Sequence, residues 1–311
     1  MPYKIVVLDG IYANPGDLSW EALETYGNLT VYDRTSPEQV MDRAMDADIL
    51  IVNKVELRKP LLDNFPHLKM IVISATGMNN VDLEAAKALG VVVKNVVGYG
   101  AQSVAQHTFA LILELTNRVS AHNDSVQKGE WDAEKGFSYT TSPVTGLDGK
   151  TLGIYGFGSI GQEVASIGRA FGMRIMVVSN HAVPTDYPFY EFVNLRELFE
   201  QSDLISLHAP LRDDNKHVVN SALLSHMKPD ARLINTARGP LVHEEDLKSW
   251  LIAHPMAGAA LDVLETEPPG PQHILFGLPN CIITPHMAWT AKSARKKLIV
   301  EVTLLVKTFV S

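Results

Sequence analysis

Short apolar runs with no polar alternation recur at 5–8, 29–32, 49–52, 70–73 and 91–93, separated by stretches of helical periodicity such as 37–47 and 83–89. Runs that lack a polar face suit strands covered on both sides, and their regular alternation with helices predicts a doubly wound α/β architecture. A second series of apolar runs follows at 151–155, 175–179, 204–208, 232–236, 258–263 and 281–284. Six such strands are what a complete dinucleotide-binding sheet requires, and the first five runs are enough for a separate open sheet. Between the two series, Val104, Thr108, Leu111, Leu115, Val119, His122 and Val126 recur every three or four positions. That spacing predicts one amphipathic helix of about 25 residues over 103–127, roughly 37 Å long, carrying the chain from one domain to the next. Gly98-Tyr99-Gly100 is its predicted hinge, and the helical pattern at 291–310 is expected to cross back to the first domain. The expected division is 1–98 with 287–311, and 99–286.

Gly156-Phe157-Gly158-Ser159-Ile160-Gly161 matches G-x-G-x-x-G. With 21 glycines in the chain the pattern alone says little. Its context says more, because it lies between a predicted strand and a predicted helix, with the next strand at 175–179. Glycines there permit a tight turn and let backbone N–H groups meet a pyrophosphate at the helix N-terminus. A tight turn with no ligand is the plain alternative. The second strand ends in Ser179-Asn180-His181, with neither the acid that favours a ribose hydroxyl nor an arginine for a 2′-phosphate. NAD and NADP therefore both remain open.

Composition narrows the function class. The 311 residues carry 27 basic and 35 acidic side chains, a formal net charge of −8. No basic excess exists to displace counterions from nucleic acid or to anchor the chain on an anionic membrane, so neither partner is expected. No apolar run reaches the length of a membrane span, about 18 residues. The N-terminus reads as a strand rather than a leader, which makes a cytoplasmic enzyme the expectation. One cysteine, Cys281, excludes an intramolecular disulfide and a multi-cysteine metal site, and no metal is expected.

Several further segments, taken with the glycine loop, resemble the D-isomer-specific 2-hydroxyacid dehydrogenases. They are Ser74-Ala75-Thr76-Gly77-Met78-Asn79-Asn80-Val81-Asp82, Ser103-Val104-Ala105-Gln106-His107-Thr108, Ser206-Leu207-His208-Ala209-Pro210-Leu211, Met227-Lys228-Pro229 and Ile234-Asn235-Thr236-Ala237-Arg238-Gly239. Ala260-Leu261-Asp262-Val263, Glu267-Pro268 and Thr284-Pro285-His286-Met287-Ala288-Trp289 complete the set, in the order of that family. The details around His107 and His286 look most like its glycerate dehydrogenase (hydroxypyruvate reductase) branch. The resemblance implies two domains with an inter-domain cleft: a Rossmann dinucleotide-binding domain and a flavodoxin-like substrate domain. It also implies NAD or NADP as cofactor, a small 2-oxo or 2-hydroxy acid as substrate, and a homodimer.

Reducing a 2-oxo acid needs a cation for the carboxylate, a proton donor for the carbonyl oxygen, and a group that keeps the donor charged and oriented. Arg238, His286 and Glu267 can supply these and correspond to the family's Arg–Glu–His set. A planar guanidinium engages two oxygens together, an imidazole serves as acid or base near neutral pH, and a carboxylate beside it favours the imidazolium. Each has a plainer reading: a salt-bridge arginine, a structural histidine among 11, a solvated loop acid. Glu265 competes with Glu267, and His107, His208 and His243 compete with His286. The expected cofactor-facing set is Gly156 to Gly161, Ser179, Asn180, His208, Ala209, Pro210, Thr236, Ala237, Asp262 and Ser103, with Gln102 beside it. Asp262 resembles the acid that binds the nicotinamide carboxamide, or else is a turn residue. Thr76, Gly77 and Met78 match the family loop that holds the substrate carboxylate through backbone N–H groups. Asn53 and Lys54 are placed near it. Two other readings stand: the same chemistry on D-lactate, phosphoglycerate, phosphite or formate, and a catalytically idle dinucleotide sensor that acts through protein contacts.

Overall fold

The computed structural model describes residues 2–180 and 189–311, and within them the chain forms two compact units, 1–100 with 289–311 and 101–288. Each boundary lies two residues beyond the one expected from sequence. In the first unit β1 (Tyr3–Val7), β2 (Gly27–Val31), β3 (Ile49–Val52), β4 (Met70–Ile73) and β5 (Val92–Asn95) form a parallel sheet in the order β2-β1-β3-β4-β5. This is the flavodoxin-like order. Residue parity separates the two faces. Val6, Leu50, Val52, Ile71 and Ile73 pack with Val40, Leu62, Phe65 and Ala86 on one side. Ile5, Val7, Ile49, Ile51, Met70 and Val72 pack on the other, under Trp20, Leu23 and the C-terminal helix Lys292–Val310. That helix buries Leu298, Ile299, Val302 and Val306, each stabilising by about 1.5–3 kcal/mol relative to exposure. It lies in the first unit.

In the second unit β6 (Thr151–Tyr155), β7 (Arg174–Val178), β8 (Tyr190–Phe192), β9 (Leu204–Leu207), β10 (Arg232–Asn235), β11 (Gly258–Leu261) and β12 (Cys281–Ile283) are likewise all parallel. Their order, β12-β11-β10-β9-β6-β7-β8, is the Rossmann order with a seventh strand. The sequence reading missed β8, a three-residue edge strand too short to show a pattern. It also joined two helices into one. The helix Ala101–Asn117 ends before Arg118, which has a left-handed backbone (φ 48°), and a new helix runs Val119–Gln127. Among the described residues no helix is long and apolar enough to cross a membrane.

Candidate active site

Apart from Gln102, Ser103 and His107 on the helix Ala101–Asn117, the residues singled out in the second unit follow the carboxyl ends of its strands, where open α/β sheets bind ligands. Gly156 directly follows β6 and His208 directly follows β9, so they straddle the point where strand order reverses. Gly156 has φ +100°, and a Cβ there would lie 2.5 Å from the Ala209 nitrogen and 2.6 Å from the His208 carbonyl carbon. Only glycine lets the two strand exits approach so closely. The helix Ser159–Ala170 then starts from Gly158 with no side-chain cap. Above Gly158 a Cβ would meet nothing within 4 Å. Uncapped first-turn N–H groups beside open space, with the helix dipole behind them, suit an anion.

His208 adds a second indication. Its Nε2 is 2.8 Å from Ser206 Oγ, while its Nδ1 is buried with no hydrogen-bond partner. Burial pushes the imidazole down to about 3, so it is neutral in the working pH range. A buried, partnerless nitrogen beside an uncapped helix start fits a bound dinucleotide, which would satisfy both.

Other residues of the expected cofactor set face the protein. Phe157 is 7% exposed and packs edge-on against Tyr190 and Phe192 at 5.5 and 5.6 Å, so only its backbone belongs to the loop surface. Ile160 packs against the same core. The Thr236 hydroxyl lies 3.1 Å from that of Thr108, and Ser103 Oγ donates to the Ala288 carbonyl at 2.7 Å. Ala209 is buried, Ala237 half-buried, and Pro210 and Gln102 are exposed. Half-buried Ser179 and exposed Asn180 follow β7, and His181 lies outside the described residues.

Strands β10, β11 and β12 are hydrogen-bonded neighbours with Asn235, Leu261 and Ile283 in register. Arg238, Glu267 and His286 each follow one of these three strands. Adjacent strands lie about 4.8 Å apart, which brings the three exits side by side. Asn235 is fully buried and forms a closed turn. Its Oδ1 accepts from Ala237 N–H at 3.0 Å and its Nδ2 donates to the Arg238 carbonyl at 2.9 Å. The turn aims half-buried Arg238, which donates one guanidinium N–H to the Ala237 carbonyl at 2.7 Å. At Gly239 a Cβ would fall 1.9 Å from the Leu264 carbonyl. The absent side chain therefore lets the arginine segment press directly on the loop that carries Glu267.

Glu267 Oε2 and His286 Nδ1 are 2.6 Å apart, with both side chains about one-third exposed. Glu267 Oε1 accepts the Leu264 N–H at 3.0 Å, which fixes the carboxylate plane. With Nδ1 facing the carboxylate, His286 presents Nε2 outward. Glu265 pairs instead with His217 at 2.8 Å, and His243 lies 3.1 Å from Asp246, so neither belongs to this pair. Asp262 is 1% exposed, and its carboxylate accepts the Thr284 hydroxyl at 2.6 Å and the N–H groups of Met287 and Ala288 at 2.9 Å each. Burial pushes its pKa up, but hydrogen bonds from His107, Thr284, Ala288 and Met287 outweigh this and hold it below the usual carboxylate range. The side chain is thus built into the 284–288 turn. Asn235, Leu264, Thr284 and Asp9 are the supporting residues that the sequence reading left without roles. Asn235 and Thr284 stood inside quoted motifs, at strand ends where a short polar side chain signals a turn.

In the first unit, exposed Lys54 follows β3 in a loop held by the buried carboxylate of Asp9. Asp9 accepts the N–H groups of Asn53 and Val55 at 2.7 and 3.0 Å, and that of Lys54. Burial raises the Asp9 pKa against the opposing pull of those bonds. Asn53 in turn bonds the Ser74 carbonyl. Thr76 is pinned to the neighbouring strand exit: its hydroxyl donates to the Val96 carbonyl at 3.1 Å and its backbone carbonyl accepts from Asn95 Nδ2 at 2.7 Å. Gly77 and Met78 follow it, both half-buried.

Comparison with known proteins adds the following. The family described as D-isomer specific 2-hydroxyacid dehydrogenase, NAD binding domain, matches residues 109–288. A hydroxypyruvate reductase of Blautia hydrogenotrophica is 41% identical over 300 residues, covering 95% of this chain and 93% of its own. A glycerate dehydrogenase of Methylorubrum extorquens is 38% identical over 283 residues, covering 90% and 88%. Among solved structures, the D-lactate dehydrogenase of Aquifex aeolicus complexed with NAD and lactic acid aligns with a TM-score of 0.83 and 29% identity. That alignment covers 99% of this chain and 95% of the other.

Proposed function

The chain belongs to the D-isomer specific 2-hydroxyacid dehydrogenase family, and we propose that it reduces hydroxypyruvate or glyoxylate reversibly with NAD(P)H, using Arg238, Glu267 and His286. The observation that carries this reading is the 2.6 Å contact between Glu267 and His286 on the same sheet edge as Arg238 and the glycine loop. The bound nicotinamide supplies the hydride in reduction and takes it back in oxidation. The residues Gly156 to Gly161, Ser179, Asn180 and His208, with the backbone around Thr236, are the ones proposed to hold the dinucleotide.

Arg238 would fix the substrate carboxylate and polarise the ketone, since its fork addresses two oxygens at once. As hydride reaches C2, His286 gives its Nε2 proton to the oxygen that becomes the hydroxyl. Glu267, 2.6 Å from Nδ1, keeps the ring turned outward. One hydride and one proton enter the substrate, and the imidazole is reprotonated from solvent. In oxidation the neutral ring takes the hydroxyl proton. Thr76, Gly77, Met78 and Lys54 are proposed as carboxylate contacts from the first unit, and the working form as a homodimer.

The relatives named for hydroxypyruvate and glycerate favour this substrate pair over D-lactate or phosphoglycerate. The test is a rate matrix of hydroxypyruvate, glyoxylate, pyruvate and phosphohydroxypyruvate against NADH and NADPH. The highest kcat/KM is expected with hydroxypyruvate or glyoxylate. Dinucleotide binding with no turnover of any of these acids would instead favour the sensor reading.

A further inference from the structure

We propose that His107 is a positioning residue for His286, bracing the 284–288 turn through Thr284 and Asp262. This rests on His286 being the proton donor, and it assigns work to a histidine on a framework helix that touches no part of the proposed reaction.

A threonine hydroxyl has one hydrogen to give. Thr284 gives it to Asp262 Oδ1 at 2.6 Å. The contact between Thr284 Oγ1 and His107 Nε2, at 3.1 Å, must therefore have the imidazole as donor. The same nitrogen lies 3.5 Å from Asp262 Oδ1, so one N–H serves both oxygens. His107 is half-buried, with its side chain 17% exposed. Its place is set by the helix Ala101–Asn117, where Val104, Ala105 and Thr108 are buried against the sheet.

What is braced is a costly conformation. His286 has φ 52°, in the left-handed region that a residue with a Cβ seldom occupies. Its own N–H donates to the carbonyls of Asp262 and Thr284 at 2.8 and 2.9 Å. The next two N–H groups, of Met287 and Ala288, end on the Asp262 carboxylate. The turn is thus wound around one buried carboxylate, and that carboxylate is oriented from below by Thr284 and His107. Without the His107 donor, the Thr284 oxygen and Asp262 Oδ1 each lose a partner in a site where water has little access. The turn then has less to hold it in the left-handed form that points the imidazole at Glu267.

The experiment compares His107→Leu, His107→Gln, Thr284→Val and His286→Ala by kcat, by KM for hydroxypyruvate or glyoxylate, by dinucleotide Kd, and by thermal midpoint as a check on folding. His107→Leu fills the space without a donor and should lower kcat about 10- to 100-fold, the scale of a misplaced reacting group, with little change in KM or Kd. His107→Gln returns an N–H at similar reach and should recover most of that loss, which a space-filling role would not give. Thr284→Val cuts the same link from the other side and decides the matter if His107→Leu does not fold. Folded His107→Leu or Thr284→Val protein with wild-type kcat overturns the proposal, as does His107→Gln as slow as His107→Leu. In either case a slow His286→Ala leaves the donor reading intact. A His286→Ala enzyme at wild-type rate overturns the donor reading and this inference with it.

Discussion

Arg238 shows how much a single side chain is asked to do. It stands on a turn closed by Asn235, and only one of its donors goes to its own backbone, at the Ala237 carbonyl. A glutamine there keeps polarity but is two bonds shorter and loses the charge and the planar fork. Arg238→Gln is expected to lower kcat/KM for the 2-oxo acid about 100-fold, or roughly 3 kcal/mol, in line with loss of a charge-assisted pair. Dinucleotide affinity, measured by fluorescence titration, should stay nearly unchanged. Wild-type kcat/KM would remove Arg238 from the mechanism. At this scale the groups proposed to react stood out in the sequence because each is a polar residue placed after a predicted strand. Their supports did not. Asn235 and Asp9 act through backbone N–H groups and carbonyls whose positions only the folded turn defines, and Leu264 contributes nothing but an amide.

Among the elements, the C-terminal helix Lys292–Val310 illustrates a link between distant parts of the chain within the first unit. Arg295, 9% exposed at its side chain, grips both oxygens of Asp17 at 2.7 and 2.9 Å and also donates to the carbonyls of Thr290 and Ala13. The Arg295 guanidinium holds the Asp17 carboxyl at about 2, below the usual carboxylate range. A carboxyl with a depressed folded pKa stabilises above its unfolded pKa, about 3.9, and the contribution disappears as pH falls through the folded value. Asp17→Asn should therefore melt at lower temperature than wild type at neutral pH. The gap should close as pH is lowered toward about 2, read by circular dichroism. An equal gap at every pH would show that the pair's charge is irrelevant. The central strands of both sheets were legible because a buried parallel strand is apolar throughout, whereas the three-residue edge strand β8 was not. Nor was the break at Arg118, because Val119 and Val126 continue the helical spacing while standing 62% and 40% exposed. Periodicity records that an apolar stripe exists and does not say what covers it.

That uncovered stripe belongs to the scale of the whole molecule. Val119, Val126, Trp131, Phe137 and Val144 are all exposed, Phe137 to 95%, within one stretch of the second unit. So many exposed large apolar side chains in one segment suit a partner surface, and a second copy of the chain is the proposed cover. Sedimentation equilibrium should give twice the chain mass for wild type and a shift toward single-chain mass for Phe137→Asp. A wild-type monomer would contradict the dimer. The alternation of apolar runs in the sequence marked two sets of parallel strands, whereas the order of the strands within each sheet is read from the fold. The choice between NAD and NADP was not legible, because Ser179 and Asn180 carry no charge to decide it.

The imidazole that Glu267 holds at 2.6 Å is the proposed proton donor. Its most direct test is kcat/KM for reduction of the preferred 2-oxo acid by His286→Ala protein that still binds dinucleotide. A fall of about 10² to 10⁴, the worth of a positioned acid, is the predicted result. A rate close to that of wild type would mean that the proton comes from elsewhere and that the Glu267–His286 pair is structural.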